Sequence, residues 1–169
     1  MESKGYVFSL VGDLANSSYY PTFSGLWGWI NYQGVSSGYK NNPYTWESKI
    51  NQKLSNAIEG HPDLFFCAAV WPGFDDSAVN GWGSGSRKLS RLGGDFYSQT
   101  WKAALESNAQ CIMIMTFNDW NEGSNIEPSK EFGYLYSDLT TRFVDDYKGI
   151  NLDSSKMEEI TRIYMGSKK

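Results

Sequence analysis

Along most of the chain, short uninterrupted apolar runs alternate with stretches in which apolar residues recur every three or four positions. Runs at residues 6–11 and 25–32 read as strands, the first ending at Gly12-Asp13 and the second at Gln33-Gly34. After Pro43, the residues Trp46, Ile50, Leu54, Ala57 and Ile58 keep helical spacing until Gly60, which predicts an amphipathic helix over 44–58. Residues 64–70 are a continuous apolar run of strand length, and the Gly-, Ser- and Asn-rich segment 71–94 reads as a long loop. Phe96, Thr100, Trp101, Ala104 and Leu105 predict a helix over 95–107 with Asp95 as its N-cap, and 111–117 is another buried strand. Tyr136, Leu139, Phe143 and Tyr147 share one face of a helix over 132–147. A charged helix over 152–164 and a frayed end at 166–169 complete the pattern.

The order is strand, loop, strand, helix, strand, loop, helix, strand, loop, helix. Strands apolar on both faces need cover on both faces, so the pattern predicts an α/β fold with parallel strands and outer helices. Four βα units are visible, the first with a poorly defined helix. At 169 residues the chain is too short for a complete (β/α)8 barrel of about 250 residues. Apart from the Gly-Trp-Gly-Ser-Gly-Ser patch at 81–86 there is no repeat or low-complexity segment.

Composition adds one positive signal and several exclusions. Aromatic residues reach 16%, with 7 Trp and 11 Tyr, and several sit among Gly, Asn and Ser, where a flat ring can stack on a sugar as well as pack in a core. Core packing is the commoner use of any one of them. A net charge of -4 and a pI near 5.0 remove the long-range attraction that nucleic acid or an anionic membrane would need. No apolar stretch approaches a membrane span, and residues 1–12 lack the pattern of a signal peptide, so the sequence assigns no compartment. Cys67 and Cys111 each lie inside an apolar run and read as buried free thiols rather than a disulfide. With His61 the single histidine, neither a metal site nor a cofactor is expected.

In parallel α/β proteins the ligand site lies beyond the carboxyl ends of the strands. The polar residues at those ends are Asp13, then Asn31 and Tyr32, then Asp75 and Asp76 after Trp71, and finally Asn118 to Glu122. The last group sets Asp119 and Glu122 three residues apart directly after a buried strand. Two carboxyl groups with differently tuned proton affinities are what glycosidic cleavage requires, one as acid and the other as base or nucleophile. Two acids in a loop are also compatible with a structural role, Asp119 capping the turn while Glu122 is solvated.

The longer pattern resembles a known family. Asn118-Asp119-Trp120-x-Glu122-Gly123-Ser124-x-Ile126-Glu127-Pro128-Ser129 is similar to the Asn-Glu-Trp-x-Glu-Gly-Thr-x-Ile-Glu-Pro signature of family 99 endo-α-mannosidases, with family 71 α-1,3-glucanases as distant kin. Trp71-Pro72-Gly73-Phe74-Asp75-Asp76 and Arg91-x-Gly93-Gly94-x-Phe96-Tyr97 resemble segments before the last barrel helix of those enzymes. The likeness is firm over 61–147. It implies that residues 1–150 are the C-terminal half of a (β/α)8 barrel, strands five to eight, followed by a helix and tail at 151–169. It also implies a retaining glycoside hydrolase of α-linked glycans, working through a 1,2-anhydro sugar, with Asp119 in the base position and Glu122 in the acid position. Asp119 is one methylene shorter than the Glu of the mannosidase pattern.

Around this catalytic pair, Asn118, Trp120, Trp71, Asp75, Arg91, Trp82 and Tyr39 are the candidate substrate-binding residues, the tryptophans by stacking and the polar groups by hydrogen bonds to hydroxyls. For Arg91 and Glu127, a buried ion pair at the barrel rim is the stronger reading. The expected partner is an oligosaccharide or polysaccharide. Two other classes fit the same residues: a non-catalytic carbohydrate-binding scaffold, and an interaction module. In either case a half barrel with open edge strands is expected to self-associate as a homo-oligomer or pair with a missing N-terminal half.

Overall fold

A computed structural model of the chain describes residues 9–13, 17–30, 42–79 and 87–149. Four strands, β1 (Val11–Asp13), β2 (Gly25–Trp27), β3 (Phe65–Val70) and β6 (Cys111–Ile114), form one sheet in the order β1-β2-β3-β6, every pair parallel. Between them the chain crosses over through a 3-10 turn at Ser17–Thr22, then α1 (Pro43–Ile58), then α2 (Asp95–Leu105), and α3 (Leu135–Lys148) follows β6. The short strands β4 (Phe74–Asp75) and β5 (Lys88–Leu89) pair antiparallel. That hairpin lies inside the segment predicted as loop. The predicted helix 152–164 lies outside the described residues.

The helices start where local chemistry supplies their free N–H groups. Asn42 caps α1, its Oδ1 accepting the Thr45 N–H at 2.8 Å, and Pro43 needs no partner for the nitrogen it lacks. The cap of α2 is Gly94 rather than the predicted Asp95. Gly94 has φ +102, and a Cβ there would come within 2.9 Å of the Leu139 side chain, so α2 begins where it touches α3.

Alternation along β3 divides the core. Ala68 and Val70 pack on Tyr97, Trp101 and Ala104 of α2 and Tyr136 of α3, while Phe66 joins Leu26, Ile50 and Leu54 beneath α1. Trp101 stacks on Phe143 with ring centroids 5.3 Å apart, which fixes α3 against α2. The opposite face of β3 carries Ala69, with Trp71 continuing it; both pack with Met115, Phe74, Leu89 and Phe96.

Cys67 and Cys111 are register partners across β3 and β6, with Cα atoms 4.5 Å apart, and are joined as a disulfide. This corrects the expectation of two free thiols. Opposed positions on neighbouring strands bring the two Cβ atoms into bridging range, a relation that 44 residues of sequence separation conceals. Among the described residues no helix is long and apolar enough to cross a membrane.

Candidate active site

The carboxyl ends of the four parallel strands share one rim, and the signature loop leaves it after β6. Its stems are clipped together by Thr116 and Ser124: the Thr116 N–H donates to the Ser124 carbonyl at 3.0 Å, and the two hydroxyls lie 3.0 Å apart. The Ile126 N–H returns to the Thr116 carbonyl at 2.9 Å. Between the stems, the Thr116 hydroxyl accepts the Asp119 N–H at 3.0 Å, and Asp119 Oδ1 accepts the Glu122 N–H at 3.0 Å. Asp119 therefore caps the turn, as the structural alternative required. Glu122 does not behave as that alternative expected.

The Glu122 side chain is buried, 9% exposed, and its Oε2 is shielded from solvent with no hydrogen-bond partner. Burial pushes its carboxyl above the ordinary glutamate range, and the negative charge of Asp119 pushes in the same direction. Asp76 adds to the rise and Arg87 opposes it. A carboxyl pushed towards its protonated form close to a second carboxyl is the arrangement that can divide two acids between proton donor and proton acceptor.

The β4–β5 hairpin forms the other wall. The Asp75 N–H donates to the Glu122 carbonyl at 2.7 Å. Gly123, at φ +58, lies so close to Asp75 that a Cβ there would meet its backbone oxygen at 3.0 Å. The Asp75 carboxylate is engaged by Lys88 and by the Ser77 hydroxyl, and Lys88 above all holds it below the usual carboxylate range. Asp76 is buried and takes both the backbone N–H and the Nε–H of Arg87. This clasp closes the two ends of the Gly-rich segment 77–86.

The remaining predicted residues separate. Trp120 is 52% exposed, with its indole N–H donated to Glu127 Oε2 at 2.9 Å, which holds the ring by its edge. Asn118 is exposed on the same loop. Asp75 is committed to the hairpin ion pair. Arg91 donates through Nη2 to the Gly123 carbonyl at 2.9 Å and to Asn125 Oδ1 at 3.0 Å; those partners are neutral, so the expected ion pair is corrected. Trp71 is a second correction. It is fully buried, edge-on to Phe96 at 4.7 Å, with its indole N–H on the buried Glu47, which leaves no face for a sugar. Tyr39, Trp82, Asn31 and Tyr32 lie outside the described residues, and Asp13 is exposed at the end of β1.

Sequence reasoning missed Arg87 and Asn125. For Arg87 a signal existed, since an acid and a base bracket a Gly- and Ser-rich stretch. Asn125 carried none, because its role depends on a side chain 34 residues away.

Comparison with known proteins agrees with the motif. The model of glycosyl hydrolase family 99 matches residues 17–156, a wider span than the signature segments alone. A glycoprotein endo-α-1,2-mannosidase-like protein of Danio rerio is 30% identical over 128 residues, covering 74% of this chain and 27% of its own length. The glycoprotein endo-α-1,2-mannosidase of Rattus norvegicus is 28% identical over 112 residues, covering 63% of this chain and 24% of its own. The structure of the family 99 endo-α-mannosidase from Bacteroides thetaiotaomicron superposes with a TM-score of 0.62 at 23% identity, over 90% of this chain and 48% of that one. Its fold is shared. The chain thus spans about a quarter of the length of the curated relatives it matches and about half of the solved enzyme. With the family match running through most of its length, the chain belongs to glycosyl hydrolase family 99.

Proposed function

We propose that the chain supplies the acid-bearing half of the active site of a retaining endo-acting hydrolase of α-linked mannose chains. The observation that supports this most is Glu122, a buried carboxyl pushed towards its protonated form, set beside Asp119 at the end of the last parallel strand. In the first step the Asp119 carboxylate takes the proton of the sugar 2-hydroxyl. The freed oxygen attacks the anomeric carbon, forming a 1,2-anhydro sugar, and the glycosidic oxygen leaves with the proton of Glu122. In the second step the Glu122 carboxylate takes a proton from water, which opens the anhydro ring at the anomeric carbon. The Asp119 acid then returns its proton to O2. Each carboxyl group ends as it began. Trp120 offers the exposed ring on which a sugar would stack, and Asn118 hydrogen-bonding groups beside it.

Among the described residues β1 and β6 each pair on one side only. We place them as the first and last of barrel strands five to eight, with the first half of the barrel, or a second copy of this chain in a homo-oligomer, closing both edges. Glu122→Gln is expected to abolish hydrolysis of α-1,2-linked manno-oligosaccharides while leaving near-UV circular dichroism unchanged. Wild-type turnover in that variant would overturn the assignment.

A second reading has one observation in its favour: Asp119 is short and already spends Oδ1 on the turn. On that reading the site binds α-glycans without cleaving them, and calorimetry would detect binding with no product formed.

A further inference from the structure

Glu122 Oε2 has no hydrogen-bond partner, while the backbone of the residue is held on both sides. Its N–H is held by Asp119 Oδ1 at 3.0 Å and its carbonyl by the Asp75 N–H at 2.7 Å. The next carbonyl, that of Gly123, accepts from Arg91 Nη2 at 2.9 Å. The same nitrogen reaches Asn125 Oδ1 at 3.0 Å, two residues further on. Arg91 is itself caged: its guanidinium carbon lies 4.4 Å from the ring centre of Phe132 and 4.5 Å from that of Tyr136. Tyr136 is buried on α3, so a line of contacts runs from that helix through Arg91 to the Gly123 carbonyl, one residue past Glu122.

We propose that Arg91 is a positioning residue, which from its Phe132–Tyr136 cage locks the Gly123 peptide and so fixes where the Glu122 carboxyl points. The flat guanidinium packs against two rings set nearly perpendicular to each other while one of its nitrogens donates to two acceptors; an ammonium group would keep the charge without the flat face. The two acceptors are neutral, so the purpose of the contact is geometric rather than charge compensation. The inference rests on Glu122 being the proton donor. Misplacement of a reacting group by about 1 Å costs on the order of a hundredfold in rate.

The test uses Arg91→Met and Arg91→Lys in the otherwise intact protein. It reads the titration of the Glu122 side-chain carboxyl by 13C NMR, well below the unfolding temperature. The charges facing that carboxyl, Asp119, Asp76 and Arg87, are unchanged in both variants. If Arg91 holds the loop, its loss admits water to Glu122, and the midpoint falls towards the ordinary glutamate value with near-UV circular dichroism retained. With substrate, kcat falls about ten- to a hundredfold and KM stays within about twofold. A Glu122 midpoint equal to wild type in a folded variant overturns the proposal, as does a rise in KM at unchanged kcat, which would put Arg91 on the substrate. Should the methionine variant not fold, Arg91→Lys and Phe132→Leu carry the same test. If the wild-type protein cleaves nothing, the hydrolase reading fails while the titration still decides the role of Arg91.

Discussion

Asp119 Oδ1 lies 3.0 Å from the backbone nitrogen of Glu122, so one carboxylate of the pair holds the residue that carries the other. The contact separates two functions of Asp119 that a substitution can pull apart. Asparagine keeps the oxygen that caps the turn and removes the negative charge.

Asp119→Asn is therefore expected to leave folding stability within about 0.5 kcal/mol of wild type, because Asn and Asp cap about equally well. Turnover should fall by about a hundredfold or more, the ordinary worth of a general base. The Glu122 midpoint should also fall, since the Asp119 charge is one of the causes that raise it. Calorimetric unfolding, single-turnover rates and a carboxyl titration check the three parts. A variant within threefold of wild-type turnover would leave Asp119 a cap alone.

The buried Glu122 carboxyl gives stability a pH dependence whose sign can be worked out. Its folded pKa lies above its unfolded value of about 4.5, because burial disfavours the charge. The stabilising contribution of the protonated form is complete below the unfolded value and is lost as pH rises through the folded one. Glu122→Gln removes that loss. The variant should melt at a higher temperature than wild type near pH 7, and the difference should shrink as pH approaches 4.5. Melting curves across this range decide it; a glutamine variant less stable than wild type at neutral pH would contradict the buried, unpartnered geometry.

How far the sequence revealed this site depends on whether each relation was local. The cap from Asp119 to Glu122 spans three residues and followed from residue type and spacing. That β3 is covered on both faces followed from its uninterrupted apolar run, and α1 from its helical period and Pro43. What could not be read were contacts made by register and approach. Cys67 meets Cys111 because β3 and β6 pair at that position. Trp71 stands beside polar residues at a strand end, which suggested a sugar platform, yet α1 and α2 converge over it and bury it completely. Arg91 looked like one half of an ion pair, and three-dimensional packing gave it two aromatic rings and two neutral oxygens instead.

Asp76 and Arg87 join the ends of the hairpin loop beside Glu122. The Asp76 side chain is buried while that of Arg87 is more than a third exposed, so the pair is screened on one side only. Asp76→Asn should cost about 1–2 kcal/mol by chemical denaturation, below the figure for a fully buried pair. It should also lower the Glu122 midpoint, as the Asp76 charge contributes to its rise. Equal stability of variant and wild type would mean that the clasp does not hold the hairpin.

The two tryptophans at the rim make opposite predictions from the same side chain. Trp71 fills a closed space and donates to buried Glu47, so Trp71→Phe removes a hydrogen bond and leaves a void. The expected cost is about 2–3 kcal/mol of folding stability, with KM unchanged once the variant is assayed below its melting point. Trp120 is half exposed and held at its edge by Glu127. Trp120→Ala should leave stability within about 0.5 kcal/mol and raise KM, since a lost sugar–ring stack of about 1 kcal/mol is roughly fivefold in affinity. Measured together on one substrate, the pair separates core from binding surface. A KM effect at Trp71 with stability intact, or a stability loss at Trp120 with KM intact, would reverse the assignment that burial makes.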